Sequence, residues 1–479
     1  MKIIKSKNIK YKIINFIFLF CLILSIYVLF LISKKIINLP QTNSFDITGK
    51  YLSPWSIYYF SLHIIASIFT VFFALSFKMS YELKAKFLTS IISIGISLCI
   101  LELILAFPSD NLDFRIHKAK EIGIEFDTRS KSEVIDDLKN EGHIVYPNFT
   151  PSLLLNNYKE GLNVTNDNQI FPLSNISDIS SILTNENGYY PIVKTDKYGF
   201  TNEKNLYTNN PIDIMLIGDS YVEGYSVHPN ENISSNLNNA DFKTINLGKG
   251  GNGPLLELAT LREYASPHKP KIVIWFFLFN DFHNLYYELR SDLLTNYLLD
   301  TKYSQNLINN QNKIDATLKK YIDSKSNNNN LSNENKLNLN KFIEIIKLSR
   351  LKGIYLNTII YSSDKINNKL LKDILINAND TVESWGGKLY FVYLPSKSSL
   401  QSGNAILPSN IGRFSFKDNI TPINAIHDIC SELNITVIDF YNIVYNSDDH
   451  DSFFPHATNG HYNSKGYKLL TDNIIKKIQ

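Results

Sequence analysis

Three long apolar blocks open the chain, from about Ile13 to Ile32, from Trp55 to Phe77 and from Phe87 to Phe107. Each approaches the roughly 20 residues a helix needs to cross the hydrocarbon core of a bilayer. Their middles carry no Asp, Glu, Lys or Arg, and Glu102 sits near the end of the third. Buried helices of a soluble domain seldom stay apolar on every face, so the pattern predicts transmembrane helices. The basic start (Lys2, Lys5, Lys7, Lys10, Lys12) would also suit a cleaved signal peptide. The run is long, however, and ends in Ser33-Lys34-Lys35 rather than in small residues, which favours an uncleaved anchor. Lys78, Lys84 and Lys86 follow the second block. By the positive-inside bias both basic ends face the cytoplasm, which sends everything after Phe107 outward. Trp55, Tyr58 and Tyr59 would then lie at the outer interface, and Glu102 near the headgroups or against a neighbouring helix.

A different rhythm begins at Ile212. Short apolar runs recur at Ile212–Ile217, Thr244–Leu247, Lys271–Phe277, Leu389–Leu394 and Thr436–Phe440, each of a length that suits a buried strand. Helical patterns lie between or after them: Pro254–Tyr264 with Pro in its first turn, Lys369–Trp385, and Ser464–Ile478. Strands alternating with helices predict a parallel sheet covered on both faces, with ligands beyond the carboxyl ends of the strands. Residues 108–210, broken by Pro, Asn and Gly, read as an extended, partly β lead-in packing on that domain. Within a helical, low-complexity insertion at about 283–352, the tract Lys325-Ser326-Asn327-Asn328-Asn329-Asn330 reads as a flexible polar loop. The expected organisation is therefore an anchor over 1–107, a lead-in over 108–210 and an α/β domain over 211–479.

Bulk composition narrows the function classes. The chain has 479 residues, and 48 Lys+Arg against 45 Asp+Glu leave a net charge of +3, which gives no reason to expect nucleic acid as a partner. Three cysteines are too few for a disulfide framework, and two of them, Cys21 and Cys99, lie in apolar blocks. No His/Cys/Asp/Glu set has metal-ligand spacing, His456 with His461 being a poor pair for zinc, so neither metal nor cofactor is expected.

Candidate chemistry collects where the strands end. After the first run stands Gly218-Asp219-Ser220; a serine at a strand-to-helix turn presents its hydroxyl at the mouth of the sheet, beside backbone N–H groups that favour an oxyanion. After the second comes Asn246-Leu247-Gly248-Lys249-Gly250-Gly251-Asn252-Gly253-Pro254, a tight loop or a backbone donor at Gly251. After the third comes Asn280-Asp281, where the Asn280 amide can be a further oxyanion donor and Asp281 a cap or brace. Before the final helix, Pro455-His456-Ala457-Thr458-Asn459-Gly460-His461 puts an imidazole at the same edge, and imidazole is the base matched to a serine hydroxyl at neutral pH.

Ser220, Gly251, Asn280 and His461, in that order, resemble the four blocks of the SGNH (GDSL-type) hydrolases. The stretches Asn185-Glu186-Asn187-Gly188-Tyr189, Asp196-Lys197-Tyr198-Gly199-Phe200-Thr201-Asn202 and Gly251–Tyr264 are similar to a bacterial membrane-anchored subgroup. The resemblance covers about residues 145–479 and implies a flavodoxin-like three-layer α/β domain with a parallel sheet, here preceded by three transmembrane helices. It implies ester chemistry through an acyl-serine, with Ser220 as nucleophile, His461 as base, and an oxyanion hole from Ser220, Gly251 and Asn280. Where that family has an Asp before its histidine, this chain has Asn459 and Thr458. Asp451, with Asp448 and Asp449 behind it, is the candidate to orient the imidazole; Asn459 is the alternative, and would stabilise imidazolium far less. Phe279 also replaces the glycine that often precedes the family's asparagine.

The expected function is a membrane-anchored serine esterase acting on O-acyl esters of envelope glycans or lipids, its catalytic domain outside the cytoplasm. The alternatives are an O-acyltransferase working with a membrane acyl-donor protein, and a non-catalytic glycan-binding or assembly factor that keeps the fold.

Overall fold

The computed structural model describes residues 2–37, 54–106, 111–156, 158–165, 168–207, 211–330, 343–361, 364–402 and 421–479. The boundaries expected at Phe107, at 108 and at 210 lie outside them. The chain divides into two compact units, each described by itself.

The first unit holds the helices α1 (Lys2–Ile37), α2 (Pro54–Leu75) and α3 (Tyr81–Ala106), all three long and apolar enough to cross a membrane. Their large apolar side chains point outward: Phe16 is 69% exposed and Ile94 61%. That is the arrangement of a surface whose solvent is lipid. Most of the helix Ser349–Tyr361 groups with this unit, although in sequence it lies between strands of the α/β domain and begins at the end of the expected insertion. Glu102 explains part of the attachment. It is fully buried, and its carboxylate accepts the Arg350 and Leu351 N–H groups at 2.7 and 3.0 Å, capping that helix.

The second unit begins with two helices, α4 (Asn111–Glu121) and α5 (Lys131–Asn140), not with the extended chain expected. A capping box starts α5: Ser130 Oγ accepts the Glu133 N–H, and Glu133 returns a bond to the Ser130 N–H. That signal, Ser-x-x-Glu ahead of Val134 and Ile135, was present in the sequence. Short strands follow: β1 (Val145–Pro147), β2 (Leu162–Thr165), β3 (Asn168–Ile170), β4 (Ser180–Ile182) and β5 (Ile192–Lys194). β4 pairs parallel with β1 and antiparallel with β5, while β2 and β3 form a separate antiparallel pair.

The main sheet is built from β6 (Ile214–Ile217), β7 (Thr244–Asn246), β8 (Ile272–Phe277), β9 (Lys388–Tyr393) and β10 (Thr436–Asp439), in the order β10-β9-β8-β6-β7. All its pairings are parallel, with Ile217 beside Trp275 and Tyr393 beside Phe277. This is the flavodoxin-like order, whose switch point lies between β6 and β8. Ile214, Leu216, Ile274 and Phe276 pack on one face with Leu470 and Ile474 of the final helix, Ser464–Ile478. Met215, Ile217, Val273 and Trp275, which alternate with them, are buried too, so the sheet is covered on both sides.

The polar tract at 325–330 ends a helix, Gln311–Asn330, rather than forming a loop. Ile314, Leu318 and Ile322, spaced one turn apart and buried, carry the helix into it.

Candidate active site

At the end of β6 the backbone turns into a short helix at Ser220, with Asp219 as its N-cap accepting the Tyr221 N–H at 2.9 Å. The tightness of the turn requires glycine at two places. A Cβ on Gly218 would meet Val222 Cγ2 at 2.4 Å, and one on Gly248, in the loop after β7, would meet the Glu223 nitrogen at 2.6 Å. Asn246 ties the two loops together: its Nδ2 donates to the Val222 carbonyl and its Oδ1 accepts the Gly248 N–H. Asn246 is in turn held by Asn202, which exchanges two 2.8 Å bonds with its backbone. Asp196 braces that strap, accepting from Asn202, Tyr198 and Phe200.

The glycine loop rests on a buried ion pair. Glu223 and Lys249 bond to each other with both side chains fully buried, and Glu223 Oε2 accepts the Gly250 N–H at 2.7 Å. Asn148 donates to Glu223 and accepts from Lys249, each at 3.0 Å. Gly251 follows with φ +71°, a backbone conformation that favours glycine. On the other side of β6, Asn280 stands at the end of β8 with Oδ1 buried and unbonded. Asp281 braces that loop by accepting the Leu278 N–H at 2.8 Å.

His461 Nε2 lies 2.7 Å from Ser220 Oγ, although 241 positions separate the two residues. The loop carrying it is set by Asn463, which caps the final helix and donates to the Ser452 and Phe454 carbonyls. The rings of Tyr221 and Tyr225 flank the imidazole at 4.7 and 5.2 Å between centroids. On the far side of the ring stands Glu186, not Asp451. Glu186 Oε2 accepts Nδ1–H of His461 at 3.1 Å, the His461 backbone N–H at 2.7 Å and the Ser226 hydroxyl at 2.8 Å. Asp451 is held elsewhere, 2.9 Å from Lys397 and partly exposed. Asn459 contributes its carbonyl, which accepts from Arg115 Nη2 at 2.5 Å, while its side-chain oxygen is buried without a partner.

Glu186 comes from the connection between β4 and β5. Asn185 Oδ1 accepts the Gly188 N–H, Asn187 Nδ2 donates to the Ser226 carbonyl, and Gly188 has φ +96°. The Asn-Glu-Asn-Gly block, visible in the sequence without a role, is thus the turn that aims this carboxylate. Burial pushes the Glu186 carboxyl up, but the His461 imidazole and the Arg115 guanidinium, 3.6 Å away, outweigh it and bring it down to about 2. Burial pushes His461 down, and the Glu186 carboxylate more than offsets this, leaving the imidazole above its ordinary value. The arrangement can take a proton from the serine and hold the resulting imidazolium beside a carboxylate.

No metal-binding group of three or more His, Cys, Asp or Glu side chains occurs among the described residues. Of the sequence-derived candidates, Ser220 and His461 come together directly. Gly251 and Asn280 stand on the loops after the strands flanking β6, and Asp451 is apart.

No family model and no curated protein matches the chain. Among solved structures it is similar to a protein of the G-D-S-L family from Desulfitobacterium hafniense DCB-2, at 12% identity over 55% of this chain and 98% of that one, with a TM-score of 0.27. It is also similar to TesA, at 11% identity over 56% of this chain and 98% of that one, with a TM-score of 0.28. A lipase/acylhydrolase from Enterococcus faecalis shows 14% identity over 56% of this chain and 94% of that one, with a TM-score of 0.28. Likeness at this level carries no information about chemistry.

Proposed function

We propose that the protein is a membrane-anchored serine esterase that removes O-acyl groups from envelope glycans or lipids on the outer side of the membrane. Ser220 is the nucleophile, His461 the base, and Glu186 the carboxylate that orients the imidazole. The observation that carries the reading is the unbroken line from Ser220 Oγ to His461 Nε2 at 2.7 Å and from Nδ1 to Glu186 at 3.1 Å. As Oγ attacks the ester carbonyl carbon, its proton passes to Nε2 and then to the departing alcohol oxygen. Water then attacks the acyl carbon as His461 takes its proton, and His461 returns that proton to Oγ as the acyl–Oγ bond breaks and the acid leaves. The N–H groups of Ser220 and Gly251 and the amide of Asn280 hold the oxyanion; loss of one such donor costs on the order of 10²–10³ in rate. The non-catalytic alternative draws on Asn459 standing where a carboxylate was expected; Glu186 beside His461 supports the catalytic reading instead.

The test is p-nitrophenyl acetate hydrolysis by the full chain in detergent, with Ser220→Ala alongside. Turnover that falls to background in the variant is expected; equal rates would sink the esterase. A reporter fused after Gln479 checks the side of the membrane.

A further inference from the structure

Behind the triad lies a cation that the acyl chemistry above does not use. Arg115 sits in the middle of α4, with its side chain only 12% exposed. Its Nη2 donates to the Asn459 carbonyl at 2.5 Å and stands 3.6 Å from Glu186 Oε1, while its Nε has no protein partner. A Cβ on Gly460, the residue before His461, would come within 3.2 Å of the same nitrogen. The guanidinium is therefore wedged between the two segments that deliver the base and its carboxylate. In the chain, α4 follows α3 with only residues 107–110 between them.

We propose that Arg115 is a positioning residue that, from α4, holds the histidine loop beside Glu186 and keeps His461 available as a base. The proposal rests on the esterase reading. His461 faces two carboxylates, Glu186 from the β4–β5 turn and Asp219 from the turn into Ser220, and the phenols of Tyr221 and Tyr225. Two carboxylates favour the imidazolium, and an imidazole already protonated cannot take the Ser220 proton. Arg115 is the cation facing the pair: it opposes protonation of His461 and of Glu186 alike, and it also bears on neighbouring His456.

The experiment compares the full chain in detergent with Arg115→Met and Arg115→Lys, recording kcat/KM for p-nitrophenyl acetate against pH. Without the guanidinium the acid limb moves to higher pH, so the methionine variant loses several-fold at the acid end and less than about twofold on the alkaline plateau. The lysine variant, which keeps the charge, holds the limb near its original position. A uniform loss at every pH, an unmoved limb in Arg115→Met, or a lysine variant that behaves like the methionine one overturns the proposal. Titration of the His461 ring by nitrogen NMR on histidine-labelled protein, assigned by its loss in His461→Gln, supplies a readout that needs no turnover. Should the wild type prove inactive, a rise in the His461 pKa of Arg115→Met still supports the electrostatic role, and no rise removes it.

Discussion

Glu186, Glu288 and Glu257 are buried glutamates of the second unit, and they hold their protons very differently. Glu186 has three donors on one oxygen and a guanidinium near the other, and its carboxyl comes down to about 2. Glu288 accepts the N–H groups of Gly253 and Leu255 at 2.6 and 2.9 Å; burial still pushes it up to about 7. Neither oxygen of Glu257 has a hydrogen-bond partner; the Trp275 indole approaches without meeting hydrogen-bond geometry. Burial, then Asp219 and Glu288, drive Glu257 far above the carboxylate range. Burial is common to all three, so the donors decide. A glutamate becomes the partner of an imidazole only where cations and N–H groups have been gathered to keep it charged, as they are on the His461 side of Ser220.

The sharpest way to break this comparison is to remove the charge from the low member. Glu186→Gln leaves the side-chain shape but takes away the counter-charge of the imidazolium, and kcat for p-nitrophenyl acetate should fall on the order of 10³–10⁴-fold. With burial no longer offset, the His461 pKa drops, so the acid limb of the residual activity moves to lower pH. Asp451→Asn, on the Lys397 pair, should leave both kcat and the limb as they are. If the asparagine variant lost the activity and the glutamine variant kept it, the roles of the two carboxylates would have to be exchanged.

A second cut tests whether the buried Glu223–Lys249 ion pair is what holds the glycine loop. Lys249→Met leaves Glu223 buried under the glycine loop without its closest ammonium, which should cost about 3–5 kcal/mol and appear as a lowered melting temperature in detergent. Adding Glu223→Gln should restore part of the loss, because the uncompensated charge goes with it. A double variant as unstable as the single one would mean that packing, not charge, holds the loop.

How far the site could be read before folding follows the same physics. Ser220, Gly251, Asn280 and His461 each stand directly after or before an element whose periodicity is plain, so their placement at one sheet edge was legible. The strands β6 to β10 were legible for the same reason: a strand buried on both faces is apolar at every position. Glu186 was not. It belongs to a turn between two three-residue strands in a region without long periodicity, and what makes it the partner of His461 is convergence with Ser226 and Arg115 from separate segments. Proximity along the chain pointed instead to Asp451, and the salt link to Lys397 that takes it away joins residues 54 positions apart in sequence. The helix Ser349–Tyr361 was missed likewise, since Glu102 caps it from another apolar block.

The smallest expected effect tests the high end of the series. Glu257→Gln replaces a carboxyl whose burial favours its neutral form by a neutral amide of the same shape, so catalysis should be unchanged. Stability should differ in a way that depends on pH. The unfolded glutamate ionises near about 4.3, whereas the folded one keeps its proton to much higher pH. A raised acid pKa contributes fully below the unfolded value and is progressively lost as pH climbs toward the folded one. Wild type pays that penalty and Glu257→Gln does not. Their melting temperatures should coincide near about pH 4 and separate as pH rises, the variant becoming the more stable by a few degrees at about pH 8. A variant less stable at every pH would mean that Glu257 is charged in the fold and has donors after all, and the contrast with Glu186 would collapse.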